Sequence, residues 1–239
     1  MQIHELQDEN GSFKVAVKKA EVENPPTILF CAGLGGLPER YSTLIHALVN
    51  ERCTVIAPYF EPLARPFPTK EELVNRANRI SIALDALNKS PDEAIGIGHS
   101  IGASVLIGMS GAKMQLFTGK KVAFKTENRL SALVVLAAPT QFFLSPGSLD
   151  LVSIPIMGWV GANDKVTPPD QLDGFMSAIP LVKSSQFHVD ESAGHFSFLD
   201  QPPPNIIETV TCKSQFIQKC SHEIGKFVIQ HHKIDPAKK

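Results

Sequence analysis

The sequence predicts an α/β protein in which a mostly parallel, twisted β-sheet is covered by helices on both faces. Two observations support this prediction. Continuous apolar runs such as residues 27–32 and 132–138 are typical of strands that are buried on both sides. Segments with apolar residues at helical spacing separate these runs, and alternating strands and helices of this kind form parallel sheets.

The elements follow one another in a regular order. Asn10-Gly11 predicts an N-terminal antiparallel hairpin between residues 3–9 and 13–19. Further strands are predicted at residues 27–32, 53–57, 94–98, 132–138, 155–160 and 185–190. Helices are predicted around residues 41–48, 73–87, 103–107, 168–176 and 216–228. Thr69 and Glu72 have the spacing of a capping box at the start of the second helix.

Residues 110–128 interrupt this alternation with a lysine-bearing insert whose Thr118-Gly119 pair predicts a small hairpin. The insert connects the end of a helix to the start of a strand. We therefore expect it on the side of the sheet away from the carboxyl ends of the strands, as a solvated loop or as a partner-binding patch. No linker or repeat is evident, so residues 1–239 are predicted to form a single domain.

Composition narrows the class of protein. A net charge of −1 with 43% hydrophobic residues argues against an electrostatic grip on nucleic acid or on an anionic membrane. No apolar run approaches the roughly 20 residues of a membrane helix, and no secretion signal is apparent, so we expect a cytoplasmic protein. In that compartment Cys212 and Cys220 are expected to stay unpaired, although their spacing permits a disulfide.

One motif carries chemistry. Gly98-His-Ser-Ile-Gly102 follows a buried strand and precedes a helix, which is the setting of a nucleophile elbow. In such an elbow a tight turn raises the hydroxyl of Ser100 above the sheet, and small residues are needed two positions away on either side. The alternative interpretation is a structural turn of small residues.

Two later strands end in candidate partners for this serine. Asp164 follows the strand of residues 155–160, and His195 follows the strand of residues 185–190. Parallel strands place these ends at one edge of the sheet, and the order serine, acid, histidine is that of a catalytic triad. Asp164 could instead cap a turn, leaving Asp190 or Asp170 as the acid, and His195 could be a surface histidine.

Other features of the sequence have simpler interpretations. His188 lies within a predicted strand and is expected to be structural, and the side chain of His99 is expected to point away from Ser100. Residues 33–36 are rich in glycine but lack the third glycine of a dinucleotide-binding fingerprint. The histidines of the last helix, His222, His231 and His232, lack metal-ligand spacing. The sequence therefore predicts neither a metal nor a cofactor.

The chain resembles the α/β-hydrolase superfamily along nearly its whole length. The residues that carry the resemblance are 31–34, 98–102, 161–164 and 193–199. Within the superfamily it is similar to bacterial dienelactone-hydrolase-like and platelet-activating-factor-acetylhydrolase-like proteins. The resemblance implies that the backbone N–H groups of Leu34 and Ile101 form an oxyanion hole.

The predicted activity is hydrolysis of a small or medium carboxylic ester or thioester through an acyl-enzyme on Ser100. The segment of residues 139–155, where relatives often insert a large lid, is short in this sequence. A short lid favours an accessible site. Apolar side chains that could line a substrate pocket are Tyr59, Phe60, Phe67, Phe142, Phe143, Leu144, Phe196 and Phe198. Ordinary core packing is the alternative for these residues. A catalytically silent binding protein, and hydrolysis of an amide or carbon–carbon bond, are the alternative functions.

Overall fold

The structure is a computed structural model that describes residues 1–64, 67–88, 93–180 and 185–232. Its strands are β1 (Gln2–Asp8), β2 (Gly11–Lys18), β3 (Thr27–Cys31), β4 (Thr54–Pro58), β5 (Ala94–His99), β6 (Met114–Gln115), β7 (Lys121–Val122), β8 (Leu130–Leu136), β9 (Ile156–Gly161) and β10 (Gln186–Asp190). Its α-helices are α1 (Ser42–Asn50), α2 (Lys70–Leu87), α3 (Ile101–Met109), α4 (Pro169–Ala178) and α5 (Lys213–His231), and short 3-10 helices span Pro38–Tyr41 and Gln141–Phe143.

Eight strands form one sheet in the order β1-β2-β4-β3-β5-β8-β9-β10. The strands from β4 to β10 in this order are parallel to their neighbours, whereas β1 pairs antiparallel with β2, and β2 with β4. The predicted mostly parallel sheet with an N-terminal hairpin is thus confirmed. In the middle of the sheet, Ile97 of β5 is in register with Phe30 and Val134. The carboxyl end of β5 therefore lies between two neighbouring parallel strands.

Helices cover both faces of the sheet, as predicted. On one face α2, α3 and α4 bury side chains such as Leu73, Leu106 and Phe175. On the other face α1 and α5 bury side chains such as Leu44 and Phe227. Within the described residues no helix combines the length and the apolar character needed to span a membrane.

The start of α2 carries the predicted capping box. The Thr69 hydroxyl accepts a hydrogen bond from the Glu72 backbone N–H, and the Glu72 carboxylate accepts one from the Thr69 N–H. A second oxygen of Glu72 accepts a hydrogen bond from the Ala64 N–H at 2.7 Å. The cap therefore satisfies N–H groups at the helix start and ties the preceding loop to it.

The insert of residues 110–128 differs from the expectation at its tip. As predicted, it forms a hairpin, made by β6 and β7 and turned at Gly119 with φ 80°. The ring of Phe117 at the tip lies 5.1 Å from the rings of both Phe67 and Phe142, which follow the carboxyl ends of β4 and β8. The expectation that the whole insert lies away from those strand ends is therefore wrong, because Phe117 at its tip packs against segments that follow β4 and β8.

The four cysteines are free, so Cys212 and Cys220 form no disulfide. Cys31, Cys53 and Cys220 are buried. Burial raises the pKa of the Cys31 and Cys53 thiols to about 12. These side chains therefore act as small uncharged core residues.

Candidate active site

Ser100 occupies a strained turn between β5 and α3. Its backbone has φ 53° and ψ −132°, a region in which a residue with a side chain costs about 1–3 kcal/mol. Its N–H donates a hydrogen bond of 2.8 Å to the carbonyl of Leu136 at the end of β8. This bond anchors the turn to the neighbouring strand, and the serine remains partly exposed above the sheet.

The two glycines of the motif are required by close backbone approach. A Cβ atom at Gly98 would lie 2.5 Å from the backbone N and Cα of Ala103. A Cβ atom at Gly102 would lie 2.4 Å from the carbonyl oxygen of Cys31. Real Cβ atoms do not approach so closely, so any side chain at either position would open the turn that presents Ser100.

His195 lies in the loop after β10 and faces Ser100. Its Nε2 is 3.0 Å from the Oγ of Ser100, which is hydrogen-bonding distance. The imidazole is only 6% exposed, so bulk water has little access to it. The ring of Phe196 meets it edge-on, with the ring centroids 4.9 Å apart.

Asp164 lies in the turn after β9 and completes the arrangement. Its Oδ2 is 2.9 Å from the Nδ1 of His195. The same carboxylate accepts hydrogen bonds from the N–H groups of Val166 and Thr167 and from the Thr167 hydroxyl. Burial acts to raise the pKa of Asp164, but the hydrogen bonds from His195 and Thr167 outweigh it and hold this pKa below its ordinary value. The group is therefore a carboxylate at neutral pH.

The other acids and histidines considered from the sequence have different surroundings. Asp190 pairs with Lys219 at 2.9 Å, and Asp170 is exposed in the first turn of α4. His188 stacks on Trp159 with ring centroids 4.6 Å apart. Of the candidates, the structure brings Ser100, Asp164 and His195 into one hydrogen-bonded row.

The turn after β3 passes beside the serine. A Cβ atom at Gly33 would lie 3.4 Å from the Cβ of Ser100, so the next residue, Leu34, is adjacent to the elbow. Ile101 follows Ser100 as the first residue of α3. Among the described residues no acceptor is found for the backbone N–H of Leu34 or of Ile101. The two N–H groups predicted to form the oxyanion hole thus have no protein acceptor among the described residues, and the residue before Leu34 lies against Ser100.

A buried arginine holds this turn. The guanidinium of Arg76, which is 3% exposed, donates hydrogen bonds to the carbonyls of Ala32, Gly33, Leu34 and Glu61, at 2.8–3.2 Å. It also lies over the ring of Phe60, 4.8 Å from the centroid. Because the carbonyls of this turn accept hydrogen bonds from a single side chain of α2, the peptide planes of the turn have a fixed orientation.

Replacing this arginine by lysine should destabilise the protein although the charge is kept. We expect R76K to lower the free energy of unfolding by about 1–3 kcal/mol, because an ammonium group cannot reach all four carbonyls and a buried acceptor without a donor is costly. Urea denaturation followed by circular dichroism measures this change. R52K, at an exposed arginine beyond α1, is the matched control, and equal stability of R76K and the wild type would contradict the role assigned to Arg76.

The predicted pocket residues do not form one cluster. Phe60, Phe142 and Phe143 are buried in the core under α2, α3 and α4, where Ile101 also packs. Tyr59 and Phe196 pack instead against the core on the opposite face. In the second group, Phe196 contacts His195 and the Tyr59 hydroxyl donates a hydrogen bond to Glu39. The predicted pocket residues are therefore divided between the two faces of the sheet.

Sequence reasoning missed three supporting side chains. Arg76 lies between Leu73 and Ala77 on the apolar face of α2, and a charge in that position is a signal of a buried polar contact. Thr167 follows Asp164 by three residues, a spacing at which a hydroxyl can bond a turn carboxylate. Tyr41 opens the helix predicted around residues 41–48, and nothing in the sequence marks its contact with His99.

Comparisons with known proteins agree with this fold. No family model matches the chain, and no curated protein matches it either. An esterase from Thermogutta terrifontis superimposes with a TM-score of 0.67 at 16% identity, over 98% of this chain and 100% of that one. An esterase from Pyrococcus furiosus gives a TM-score of 0.67 at 14% identity, over 97% of this chain and 93% of that one.

A third structure is described as an α/β serine hydrolase homologue from Coxiella burnetii. It superimposes with a TM-score of 0.61 at 16% identity, and 97% of each chain is covered. Identities this low establish a common architecture, whereas activity has to be argued from the site. With its parallel sheet, its covering helices and the elbow after β5, the chain has the α/β-hydrolase fold.

Proposed function

We propose that this protein is a serine hydrolase that cleaves small or medium carboxylic esters or thioesters through an acyl-enzyme on Ser100. The observation that carries the proposal is the continuous row of hydrogen bonds from Ser100 through His195 to Asp164, at 3.0 and 2.9 Å. A serine hydroxyl is a weak nucleophile at neutral pH and needs a base within this distance.

Each residue has one role in the proposed reaction. The Oγ of Ser100 attacks the carbonyl carbon while its proton passes to the Nε2 of His195. The carboxylate of Asp164 accepts the Nδ1–H, fixes the tautomer and stabilises the imidazolium. His195 then returns the proton to the departing alkoxide or thiolate, and the acyl group stays on Ser100. Water, deprotonated by His195, attacks this acyl group, and the proton returns to Ser100 as the acid is released.

The negative oxygen that forms on attack needs donors. The N–H groups of Leu34 and Ile101 supply them in this proposal, since both lie beside Ser100 and have no acceptor among the described residues. Ile101 opens α3, so the positive end of the helix dipole adds to the stabilisation. A donor of this kind contributes on the order of 10²–10³ in rate.

The preference for small or medium substrates is supported by the access to Ser100. The serine is partly exposed, and between β8 and β9 the chain forms only a 3-10 helix, Gln141–Phe143, and loops. A partly exposed serine favours short acyl chains, which do not need a long apolar tunnel.

A panel of p-nitrophenyl esters and acyl thioesters of increasing chain length tests this proposal. We expect turnover that is highest for short and medium acyl chains, with a rapid first release of about one p-nitrophenol per protein molecule, because acylation of Ser100 by these activated esters is faster than hydrolysis of the acyl-enzyme. Hydrolysis restricted to long-chain lipids would contradict the substrate class. Absence of turnover and of the initial release with every ester would leave a catalytically silent binding protein instead.

A further inference from the structure

A buried chain of hydrogen bonds connects the turn that carries Leu34 with the loop that carries His195. The Gly33 N–H donates to the Tyr41 hydroxyl at 3.0 Å, and that hydroxyl lies 2.9 Å from the Nδ1 of His99. The Nε2 of His99 lies 2.8 Å from the backbone carbonyl of His195. Two side chains thus bridge two loops that are more than 150 residues apart in sequence.

The direction of every bond in this chain is determined. The carbonyl of His195 can only accept, so His99 donates from Nε2 and its Nδ1 is the unprotonated nitrogen. The Tyr41 hydroxyl therefore donates to Nδ1 while its oxygen accepts from the Gly33 N–H. Each group has one suitable partner on each side, so a chain with one orientation of its donors is fully satisfied.

His99 stays uncharged in this setting. Burial lowers its pKa to about 3, and the neighbouring His195 acts in the same direction. Tyr41 is 3% exposed and His99 is 2% exposed, so bulk water has little access to these bonds. The ring of His99 lies with its centroid 5.0 Å from that of His195 and 5.7 Å from that of Phe198, which limits its movement.

The backbone of Gly33 packs closely against both bridging side chains. A Cβ atom at Gly33 would lie 3.1 Å from both the Nδ1 of His99 and the hydroxyl of Tyr41. The turn is therefore packed against Tyr41 and His99, and its carbonyls accept hydrogen bonds from Arg76. A shift of either bridging side chain would be transmitted to the backbone that presents the Leu34 N–H.

We infer that Tyr41 and His99 are positioning residues that hold the oxyanion-binding turn and the His195 loop at a fixed distance from each other around Ser100. This inference rests on the proposed function, because it assigns the two loops as donor and base of the same reaction. The side chain of His99 contacts the backbone of the His195 loop directly and reaches the Gly33 turn through the Tyr41 hydroxyl. Neither Tyr41 nor His99 is placed to touch substrate.

Hydroxyl deletion at Tyr41 tests the inference. We expect Tyr41→Phe to lower kcat by about 10²-fold with little change in KM, because a displacement of about 1 Å in a catalytic arrangement costs that much and acts on the transition state. Ser221→Ala, which removes a buried hydroxyl in α5 whose one hydrogen bond among the described residues is to the Gln218 carbonyl of its own helix, is the matched control. Its kcat should equal that of the wild type.

Variants at His99 separate positioning from packing. His99→Gln keeps an amide that can donate to the His195 carbonyl, whereas His99→Phe keeps the ring but loses both hydrogen bonds. We expect Gln to retain more kcat than Phe although its shape differs more from histidine. The double variant Tyr41→Phe/His99→Phe should lose no more kcat than His99→Phe alone, because both changes break one chain.

The outcomes distinguish this inference from the proposed function. If the wild type turns over ester and Tyr41→Phe has an unchanged kcat, the positioning role is overturned and the serine hydrolase assignment stands. The same follows if the double variant loses as much kcat as the product of the two single losses. Equal kcat values for His99→Gln and His99→Phe also overturn the positioning role. This comparison decides the question even if Tyr41→Phe does not fold. A wild type that turns over no ester overturns the proposed function itself.

Discussion

Replacing Ser100 by alanine is expected to lower kcat by on the order of 10⁶-fold, to the level that binding and oxyanion stabilisation alone supply. Without the hydroxyl no acyl-enzyme forms, and water must attack the substrate directly. Alanine should keep the fold, because it carries the same Cβ atom in the same φ 53° turn and the flanking Gly98 and Gly102 are unchanged. Steady-state hydrolysis of a p-nitrophenyl ester by both proteins measures the loss.

The matched control for this variant is Ser110→Ala at the other end of α3. The Ser110 hydroxyl bonds the carbonyl of Ile107 within its own helix, at 2.8 Å, and has no contact with His195. We expect it to retain the wild-type kcat. A loss in Ser110→Ala as large as in Ser100→Ala would indicate damage to α3 instead of loss of a nucleophile.

The second large effect is expected for Asp164→Asn, with kcat lower by about 10⁴-fold. The carboxylate accepts the Nδ1–H of His195 and thereby leaves Nε2 free to take the Ser100 proton. An amide removes the negative charge that stabilises the imidazolium, and its NH₂ group can donate to Nδ1 and favour the wrong tautomer. KM should change little, because the lost interaction strengthens only as charge develops on His195.

Asp173→Asn is the matched control for this substitution, since Asp173 is exposed on α4 and the change removes the same charge. The two proteins are compared by kcat and KM in the same ester assay, with circular dichroism to verify folding. A D164N protein that stays folded and keeps more than about a tenth of the wild-type kcat would contradict the role of Asp164, because the expected loss is about 10⁴-fold.

The elbow was predictable because local sterics determine it. Gly98 and Gly102 lie where any Cβ atom would collide with backbone, so the sequence has few alternatives at these positions. The strand before the elbow is equally constrained, since β5 is buried at each of its residues and appears in the sequence as one apolar run. Topology then places the turns after β9 and β10 at the same edge of the sheet, and the structure finds Asp164 and His195 there in contact.

The supporting contacts around the site depend on segments that are distant in the sequence, and such contacts leave little local signal. Tyr41 and His99 approach each other across 58 residues, and each has an ordinary local explanation as a core residue. The position of Phe117 against Phe67 and Phe142 depends on packing between segments that are distant in the sequence, which residue spacing does not determine. The aromatic residues proposed for a pocket divide between the two faces, because apolar character does not reveal the face on which a residue packs.

Reaction with a fluorophosphonate, followed by mass spectrometry of the digested protein, tests the central claim most directly. If His195 activates Ser100, one phosphonyl group should be attached per protein molecule, on the peptide that contains Ser100, and the Ser100→Ala protein should stay unmodified. Modification of a different residue, or equal labelling of both proteins, would contradict the assignment of Ser100 as the nucleophile.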